Sequence, residues 1–143
     1  MRSYSPSELT YLQSRGGFTA KSLLWVSARN RGTGATESLG LWTGDEERSF
    51  IIGGVSRLYY GAGSILGVDA ITMQAGVGVR LQRVSLSILT PEVQQLFKGY
   101  DAGVAPVEIH RALFDPLSGD LIAEPQRVWK GFVDQAPEHT PEL

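Results

Sequence analysis

One histidine and three acidic residues lie within the stretch VEIHRALFDPLSGD (residues 107–120), and their types are suited to catalysis. If this stretch begins with a strand, Glu108 and His110 share a face, because alternate residues of a strand point the same way. A carboxylate beside an imidazole can orient it as a general base. Asp120 would be another acidic residue of such a catalytic set. The alternative is a surface or interface histidine, and the pattern favours it because no serine or threonine nucleophile can be placed from the sequence.

Three other stretches resemble ligand-binding loops, and each is better explained as a turn. DPLSGD (residues 115–120) lacks the alternating oxygen ligands and the distal glutamate of a calcium loop. Asp115 and Gly119 instead suit a tight turn. GAGSILG (residues 61–67) lacks the lysine followed by serine or threonine that a phosphate-binding loop needs. GDEE (residues 44–47) is expected to be a solvated turn.

The totals for the chain argue against several kinds of binding protein. The 143 residues carry a formal net charge of −2 with no basic run, which does not suit nucleic acid or an acidic membrane. There is no cysteine, and His139 forms no metal-ligand spacing with His110. We therefore expect no cofactor and no metal. The sequence has no secretory signal and no window of about 20 apolar residues, which predicts a protein made in the cytoplasm.

The aromatic residues allow two interpretations. They could form stacking platforms for single-stranded nucleic acid, but that role also needs a basic groove. Packing in the core or at a protein interface is the favoured interpretation. The residues concerned are Trp25, Trp42, Tyr59, Tyr60 and Trp129.

Short alternating segments separated by glycine-containing turns predict a mainly β fold. We expect a barrel or sandwich of about eight short strands with two short helices. The domain boundaries are expected to be an N-terminal helical arm (1–17), a β-rich barrel-like domain (18–135) and a proline-containing tail (136–143). The expected strands cover residues 21–30, 36–44, 50–54, 56–63, 79–89, 106–115, 120–124 and 127–135.

The first helix is predicted in SPSELTYLQSRGG (residues 5–17). Ser5 or Ser7 can cap its start and Pro6 suits its first turn, while two glycines end it. Its apolar side would consist of Leu9, Tyr11 and Leu12. A helix this short must pack on its own domain or on a neighbour.

The second helix is predicted in TPEVQQLFKGYD (residues 90–101). Thr90 would cap the helix, Pro91 would occupy its first position, and Gly99 would lie just past its end. One face is apolar, since Val93, Leu96 and Phe97 lie three to four residues apart.

The order of these elements resembles a segment of the tail-tip proteins of long-tailed phages and gene transfer agents. In that segment a strand leads to a short helix, here PEVQQLFKGYD (residues 91–101). A strand of the kind APVEIHRALFD (residues 105–115) follows, then a turn and a strand with the pattern W-x-G-x-V (residues 129–133). The likeness covers roughly residues 8–135 and includes a Y-Y-G turn at 59–61.

This resemblance implies a structural role in a virion. The chain would be a baseplate hub or distal-tail-type subunit, built on a β-barrel, that forms a homo-oligomeric ring joining the tail tube to the hub or distal tail. Threefold and sixfold rings are both open. Its partners would be other tail proteins, and no catalytic group is required. Relatives of this kind are often longer, so the chain is expected to be a reduced version or an accessory ring protein.

Six residues of the opening stretch and the strand after it are then candidates for interface and packing roles. Leu113, Trp129 and Phe132 are expected to pack. The polar face is expected to contain Glu108, His110 and Arg111.

Two alternatives remain at this point. The first is a phage-borne enzyme that degrades cell walls with Glu108, His110 and Asp120. The second is a monomeric glycan-binding tail module whose exposed platform consists of Trp42, Tyr59 and Tyr60.

Overall fold

The computed structural model describes residues 4–72, 75, 76, 78–134 and 137. This part of the chain is mainly β, as the sequence predicts. In chain order its elements are α1 (Pro6–Gln13), β1 (Thr19–Asn30), β2 (Thr36–Trp42), β3 (Arg48–Ile52), β4 (Val55–Tyr59), β5 (Ile65–Val68), β6 (Val84–Leu86), α2 (Pro91–Gln94), a π-helical segment (Gln95–Gly99), β7 (Tyr100–Asp101), β8 (Pro106–Phe114) and β9 (Gln126–Phe132).

A central antiparallel sheet organises the molecule. Its strand order is β2-β1-β8-β9, and the short β7 pairs with the far end of β1. Strand β1 lies between β2 and β8 over most of its length, with Leu24 opposite Leu41 on one side and Ile109 on the other. Because β1 and β8 are the inner strands, each buries side chains on both faces of the sheet.

Each face of the central sheet is covered by a different layer. On the Trp25 face, which carries Leu23 and Trp25 of β1, the β3–β4 hairpin packs through Phe50 and Tyr59. On the Leu24 face, which carries Leu24, Val26 and Ile109, the cover comes from β5, α2 and the π-helical segment. The result is a β sandwich, and the described strands do not close into a barrel. Of the two closures that the sequence allows, the sandwich is therefore the observed one.

The first four predicted strands are present and pair as two hairpins. Strands β1 and β2 pair from Leu23–Trp42 to Arg29–Thr36. Strands β3 and β4 are joined by Gly53 and Gly54, whose positive φ angles of 60° and 79° suit the two-residue turn of a hairpin. In both hairpins the strand sequences and the turn residues are local, which is why the sequence pattern is sufficient.

Two of the predicted strands differ in the structure. Residues 120–124 do not form a return strand: only Leu121 makes an isolated bridge, to Phe114, before the chain leaves the sheet. Pro125, which has no N–H, separates this bridge from β9, and β9 takes over the same side of β8. The strand predicted over 79–89 shortens to β6, because its partner β5 has only four residues.

Both helices are present at the predicted sites, with differences in detail. Ser5 caps α1 by accepting a hydrogen bond from the Glu8 N–H, but Leu9 on the predicted apolar side is exposed. Glu8 is instead the buried residue of α1. Thr90 lies at the N-cap of α2 without capping it, since its hydroxyl donates to the Ser87 carbonyl.

The second helix ends close to the predicted position. The π-helical segment continues α2 through Gly99, which the sequence placed just past the helix end. The predicted apolar face is confirmed, with Val93 and Leu96 buried and Phe97 packed against the same core. Neither helix of the described chain is long and apolar enough to cross a bilayer.

Candidate functional site

Strand β8 places Glu108 and His110 on the Trp25 face of the sheet, as the alternation predicts. Glu108 lies opposite Trp25 of β1, and His110 lies opposite Leu23. The Nε2 atom of His110 is 3.9 Å from Oε2 of Glu108. The two side chains are therefore neighbours but are too far apart for a hydrogen bond.

Arg57, which the sequence analysis did not single out, is the direct partner of Glu108. Its Nη1 donates to Oε2 of Glu108 at 3.0 Å, and the guanidinium carbon lies 4.9 Å from the centre of the Trp25 ring. Arg57 is on β4, so this ion pair joins the hairpin to the central sheet. A second cation, Arg127 of β9, has its Nη1 3.9 Å from the other oxygen, Oε1 of Glu108, and is half exposed.

The ion pair shifts the pKa values of both partners. Burial alone would raise the pKa of Glu108, but the hydrogen bond and the positive charge of Arg57 lower it below its usual value. Burial alone would lower the pKa of Arg57, and its hydrogen bond to Glu108 raises it. Glu108 is thus held as a carboxylate and Arg57 as a cation.

His110 is buried in the protein core, contrary to the expected surface or interface position. Its exposed fraction is 3 %, and its Nδ1 atom has no hydrogen-bond partner among the described residues. Burial lowers the pKa of His110 to about 4, although Glu108 acts in the opposite direction. The imidazole is therefore neutral at pH 7, and a substrate would reach it only if the β3–β4 hairpin moved away.

This geometry makes the proposed catalytic set a poor one. The carboxylate that should orient His110 is instead bound to Arg57. Asp120 lies in the exposed loop after β8. The charged groups that affect the pKa of His110 are Glu108, Arg57, Arg127 and Glu124, and Asp120 is not among them. The described part of the chain also contains no cluster of three or more histidine, aspartate or glutamate side chains that could hold a metal.

The aromatic platform of the glycan-binding alternative is not exposed. Trp42 is 7 % exposed and Tyr59 is fully buried, while Tyr60 is half-buried. The rings of Trp42 and Phe50 meet edge to face at 5.3 Å, and the Trp25 and Tyr59 rings are 5.4 Å apart. These aromatic residues pack in the core, which was the favoured interpretation.

The turn DPLSGD also has the structure that the sequence predicts. The Asp115 carboxylate accepts a hydrogen bond from the Leu117 N–H at 2.8 Å, and Gly119 has a φ of 75°. Its Gly119 N–H donates to the Asp115 carbonyl. The oxygens of the turn therefore satisfy its own backbone. In GAGSILG, a turn at residues 61–64 leads directly into β5.

The W-x-G pattern of β9 has a clear packing role. The Trp129 ring folds along its own strand over Gly131, and a side chain at position 131 would collide with it. Trp129 is half-buried against the core of the Leu24 face, so its predicted packing is observed. Leu113 is buried as well, at 8 % exposed.

Two other candidates on these strands, Phe132 and Arg111, lie at the surface. Phe132 is 63 % exposed, so it does not pack in the core of the subunit, and its role at an interface stays a prediction. Arg111 is exposed, as expected of a polar position, but it lies on the face opposite Glu108 because the two are an odd number of residues apart. The three-residue set of Glu108, His110 and Arg111 is therefore not one polar face.

Strand β9 forms an open edge of the central sheet. It pairs with β8 on one side, and within the described residues no strand pairs with its other side. The β2 edge is more protected, because Trp42 N donates to the Tyr60 carbonyl and Tyr60 N donates to the Gly40 carbonyl, both at 2.9 Å. An open edge presents unpaired backbone groups to another chain.

Large apolar side chains are exposed over much of the surface. They occur on α1, on the β3–β4 hairpin, around β6 and at the end of β9. The set comprises Tyr4, Leu9, Phe18, Ile51, Val55, Leu58, Val79, Leu81, Leu89, Val104, Leu117 and Phe132. Near β9, Leu81 and Ile71 also line a cavity of about 230 Å³ together with Trp129.

Comparison with known proteins adds no relative. No protein-family model matches the chain, and no curated protein matches it in sequence.

Proposed function

We propose that this protein is a structural subunit of the tail tip of a long-tailed phage or gene transfer agent. In this role it assembles into a ring that joins the tail tube to the hub or distal tail, and it works by binding its neighbours. The observation that carries the proposal is the open β9 edge together with the exposed Phe132 at its end. The resemblance of the sequence to tail-tip proteins supplies the place of assembly.

The surface supports an assembling subunit over a protein that works alone. Single exposed apolar residues are common in monomers, whereas extended apolar surface often marks an interface. Here Val79, Leu81 and Leu89 are each more than three-quarters exposed on the same part of the chain around β6. Together with the open edge of β9, they give the molecule surfaces that a neighbour can cover.

The interior also fits an assembly role. The charged groups that the sequence suggests for catalysis hold the β3–β4 hairpin on the sheet, through the contact between Arg57 and Glu108. They are used for structure, and His110 beside them is buried. Nothing in the proposed function requires a catalytic group.

The proposal is tested on the particles themselves. Purified particles from the producing strain would be analysed by mass spectrometry and labelled with gold-conjugated antibody against this chain. We expect the protein in tailed particles, with label at the tip and a copy number that is a multiple of three. If the protein is found only in the soluble lysate and not in washed particles, the proposal is wrong.

A variant strain links the role to the β9 edge. Phe132→Asp places a charge at the exposed end of β9, where it disturbs no core contact. We expect fewer particles with complete tails, because a charge in a covered interface is costly. Leu117→Asp, at a 97 % exposed position in the turn after β8, is the matched control and should leave the particles normal.

A further inference from the structure

The β9 edge carries positive charge on the side that is open to a neighbour. Lys130 is exposed, and Arg127 is half exposed at 53 % of its side chain. Arg127 makes only a long contact, 3.9 Å from Oε1 of Glu108, whose other oxygen binds Arg57 at 3.0 Å. Among the described residues, no carboxylate forms an ion pair with Lys130. The edge therefore has cationic side chains available for an acidic partner.

An acidic turn lies at the opposite edge of the same sheet. Asp45, Glu46 and Glu47 follow β2 after Thr43 and Gly44, and all three are exposed. The backbone of this turn is fixed, because the Trp42 indole N–H donates to the Glu46 carbonyl at 2.7 Å and Ala62 N donates to the Gly44 carbonyl at 3.1 Å. Among the described residues, no cation forms an ion pair with these three carboxylates.

The acidic turn begins just beyond the level of Arg127 along the strands, and Lys130 is level with Glu108, Trp25 and Gly40. Thr43, at the start of the turn, exchanges hydrogen bonds with Ser22 of β1. Ser22 is opposite Arg111 of β8, and Arg111 is opposite Gln126, next to Arg127. A sideways displacement of one whole subunit, with a small shift along the strands, therefore brings the turn of one copy to the Arg127 end of the next copy's β9 edge, and Lys130 follows along the same edge.

We propose that the Asp45–Glu47 turn of one copy of this chain binds the β9 edge of a second copy at Arg127 and Lys130. The inference rests on the proposed function, since it assigns the contact between neighbours in the ring. It is a head-to-tail contact between two different surfaces, and such contacts form a ring when the rotation from each copy to the next closes on itself. Phe132, at the end of the same edge, lies where the neighbour can cover it.

The charges also argue against pairing of two β9 edges. Antiparallel pairing of β9 with itself would bring Arg127 and Lys130 of one copy close to those of the other. Like charges across a strand pair are destabilising, and lysine on an edge strand is a known obstacle to self-pairing. An acidic surface removes this obstacle, and the turn provides one.

Disulfide trapping tests the contact directly, because the natural chain has no cysteine. Two full-length variants, Glu46→Cys and Lys130→Cys, would be mixed in equal amounts at low salt, oxidised and resolved by non-reducing electrophoresis. We expect mainly the mixed disulfide of one variant with the other. Arg83→Cys, at an exposed position on neither surface, is the control. It should form little mixed disulfide with either Glu46→Cys or Lys130→Cys. Absence of the mixed product, or a predominance of Lys130→Cys homodimers, overturns the proposal.

Charge exchange provides an independent test in solution. Association of the wild type, measured by analytical sedimentation, should weaken when salt is raised from about 0.05 M to about 0.5 M. Salt screens the charges and so weakens the electrostatic attraction between the two surfaces. The edge variant Arg127→Glu/Lys130→Glu and the turn variant Asp45→Lys/Glu46→Lys/Glu47→Lys should each weaken association by about tenfold or more. A chain with both sets of changes should recover it. A wild type that stays monomeric at low salt, or a combined variant that does not recover, contradicts the contact.

The two proposals can fail separately. If the trapped contact forms but the protein is absent from purified particles, the contact stands and the tail-tip role falls. If the protein is in the particles but no mixed disulfide forms there or in solution, the tail-tip role stands and this contact is wrong.

Discussion

At the scale of single residues, one ion pair connects parts of the chain that are distant in sequence. Arg57 and Glu108 are separated by 51 positions, and their contact holds the β3–β4 hairpin against the central sheet. Both side chains are about one-fifth to one-quarter exposed, so the pair is partly shielded from water. Arg57 also covers the face of the Trp25 ring, which adds packing to the electrostatic contact.

Replacement of Arg57 should therefore destabilise the fold. For Arg57→Ala we expect a loss of about 1–3 kcal/mol in the free energy of unfolding, since Glu108 loses its hydrogen-bond partner in a partly buried site. Urea denaturation monitored by tryptophan fluorescence measures this loss. Arg127→Ala removes a longer and more exposed contact to the same carboxylate and should cost less than about 0.5 kcal/mol. If the two substitutions lower the free energy of unfolding equally, the Arg57 contact contributes no more to stability than the Arg127 contact.

His110 predicts a specific loss of stability in acid. Its pKa is about 4 in the folded protein and 6.5 in the unfolded chain, because burial disfavours the charged imidazole. As the pH falls from about 6.5 to 4, the unfolded state binds a proton that the folded state resists, so stability decreases by up to about 3 kcal/mol. The lowered pKa of Glu108 adds a further loss at still lower pH.

Urea denaturation at several pH values between about 7.5 and about 4.5 tests this assignment, because the series runs from above the pKa of the unfolded histidine almost to that of the folded one. His110→Phe should flatten the dependence below about pH 6.5, because the titrating group is gone while a ring of similar shape remains. Parallel curves for the wild type and the variant would mean that another group is responsible.

At the scale of secondary-structure elements, close packing of the hairpin on β2 depends on a glycine. A side chain at Gly40 would collide with the Leu58 carbonyl oxygen and would lie 2.8 Å from Cδ1 of Tyr59 and 2.9 Å from Cε3 of Trp25. The backbone of β4 can approach the sheet only because this position has no Cβ. In the sequence Gly40 is one position of the strand predicted over 36–44, and the pattern does not indicate what lies above it.

Gly40→Ala should consequently destabilise the protein by about 1–3 kcal/mol, since the clash is with backbone and with buried rings. Gly67→Ala is the matched control: it is also a strand glycine, but a Cβ there meets nothing within 4 Å. Thermal unfolding should show a clear decrease in Tm for the first variant and little change for the second. A Gly40→Ala protein as stable as the wild type would mean that the hairpin can move away from the sheet without cost.

At the scale of the whole molecule, the sandwich has well-protected inner strands and one exposed side. Strands β1 and β8 lie inside the sheet with covered faces, whereas β9 pairs with one described strand only. The exposed apolar residues and the separated charges of the acidic turn and basic edge make the subunit asymmetric. That asymmetry is what a head-to-tail assembly requires.

Hydrogen exchange should reveal this organisation. In dilute protein, amides of β1 and β8 should exchange slowly and those of β9 should exchange faster, because only part of the β9 backbone is paired. At concentrations where the protein associates, the β9 peptide and the peptide that contains residues 44–47 should both gain protection, while peptides from the β3–β4 turn should not. Protection that rises in β9 alone would favour an edge pairing with some other surface.

The sequence by itself determined most of the local structure of this protein. Ser5 as the cap of α1, the glycine pair between β3 and β4, and the turn at residues 115–120 depend on contacts within a few residues. The same holds for the shared face of Glu108 and His110, which follows from strand alternation. These features could be predicted because the residues that stabilise them are neighbours in the chain.

The tertiary structure alone decided how those pieces are buried. His110 is polar and has a polar neighbour, so its sequence context suggests a surface; it is buried because a hairpin some fifty residues earlier covers its face. Phe132 is apolar yet exposed, because β9 ends the sheet and nothing described lies over that position. Burial depends on which distant element packs on a given face, and that information is absent from any local pattern.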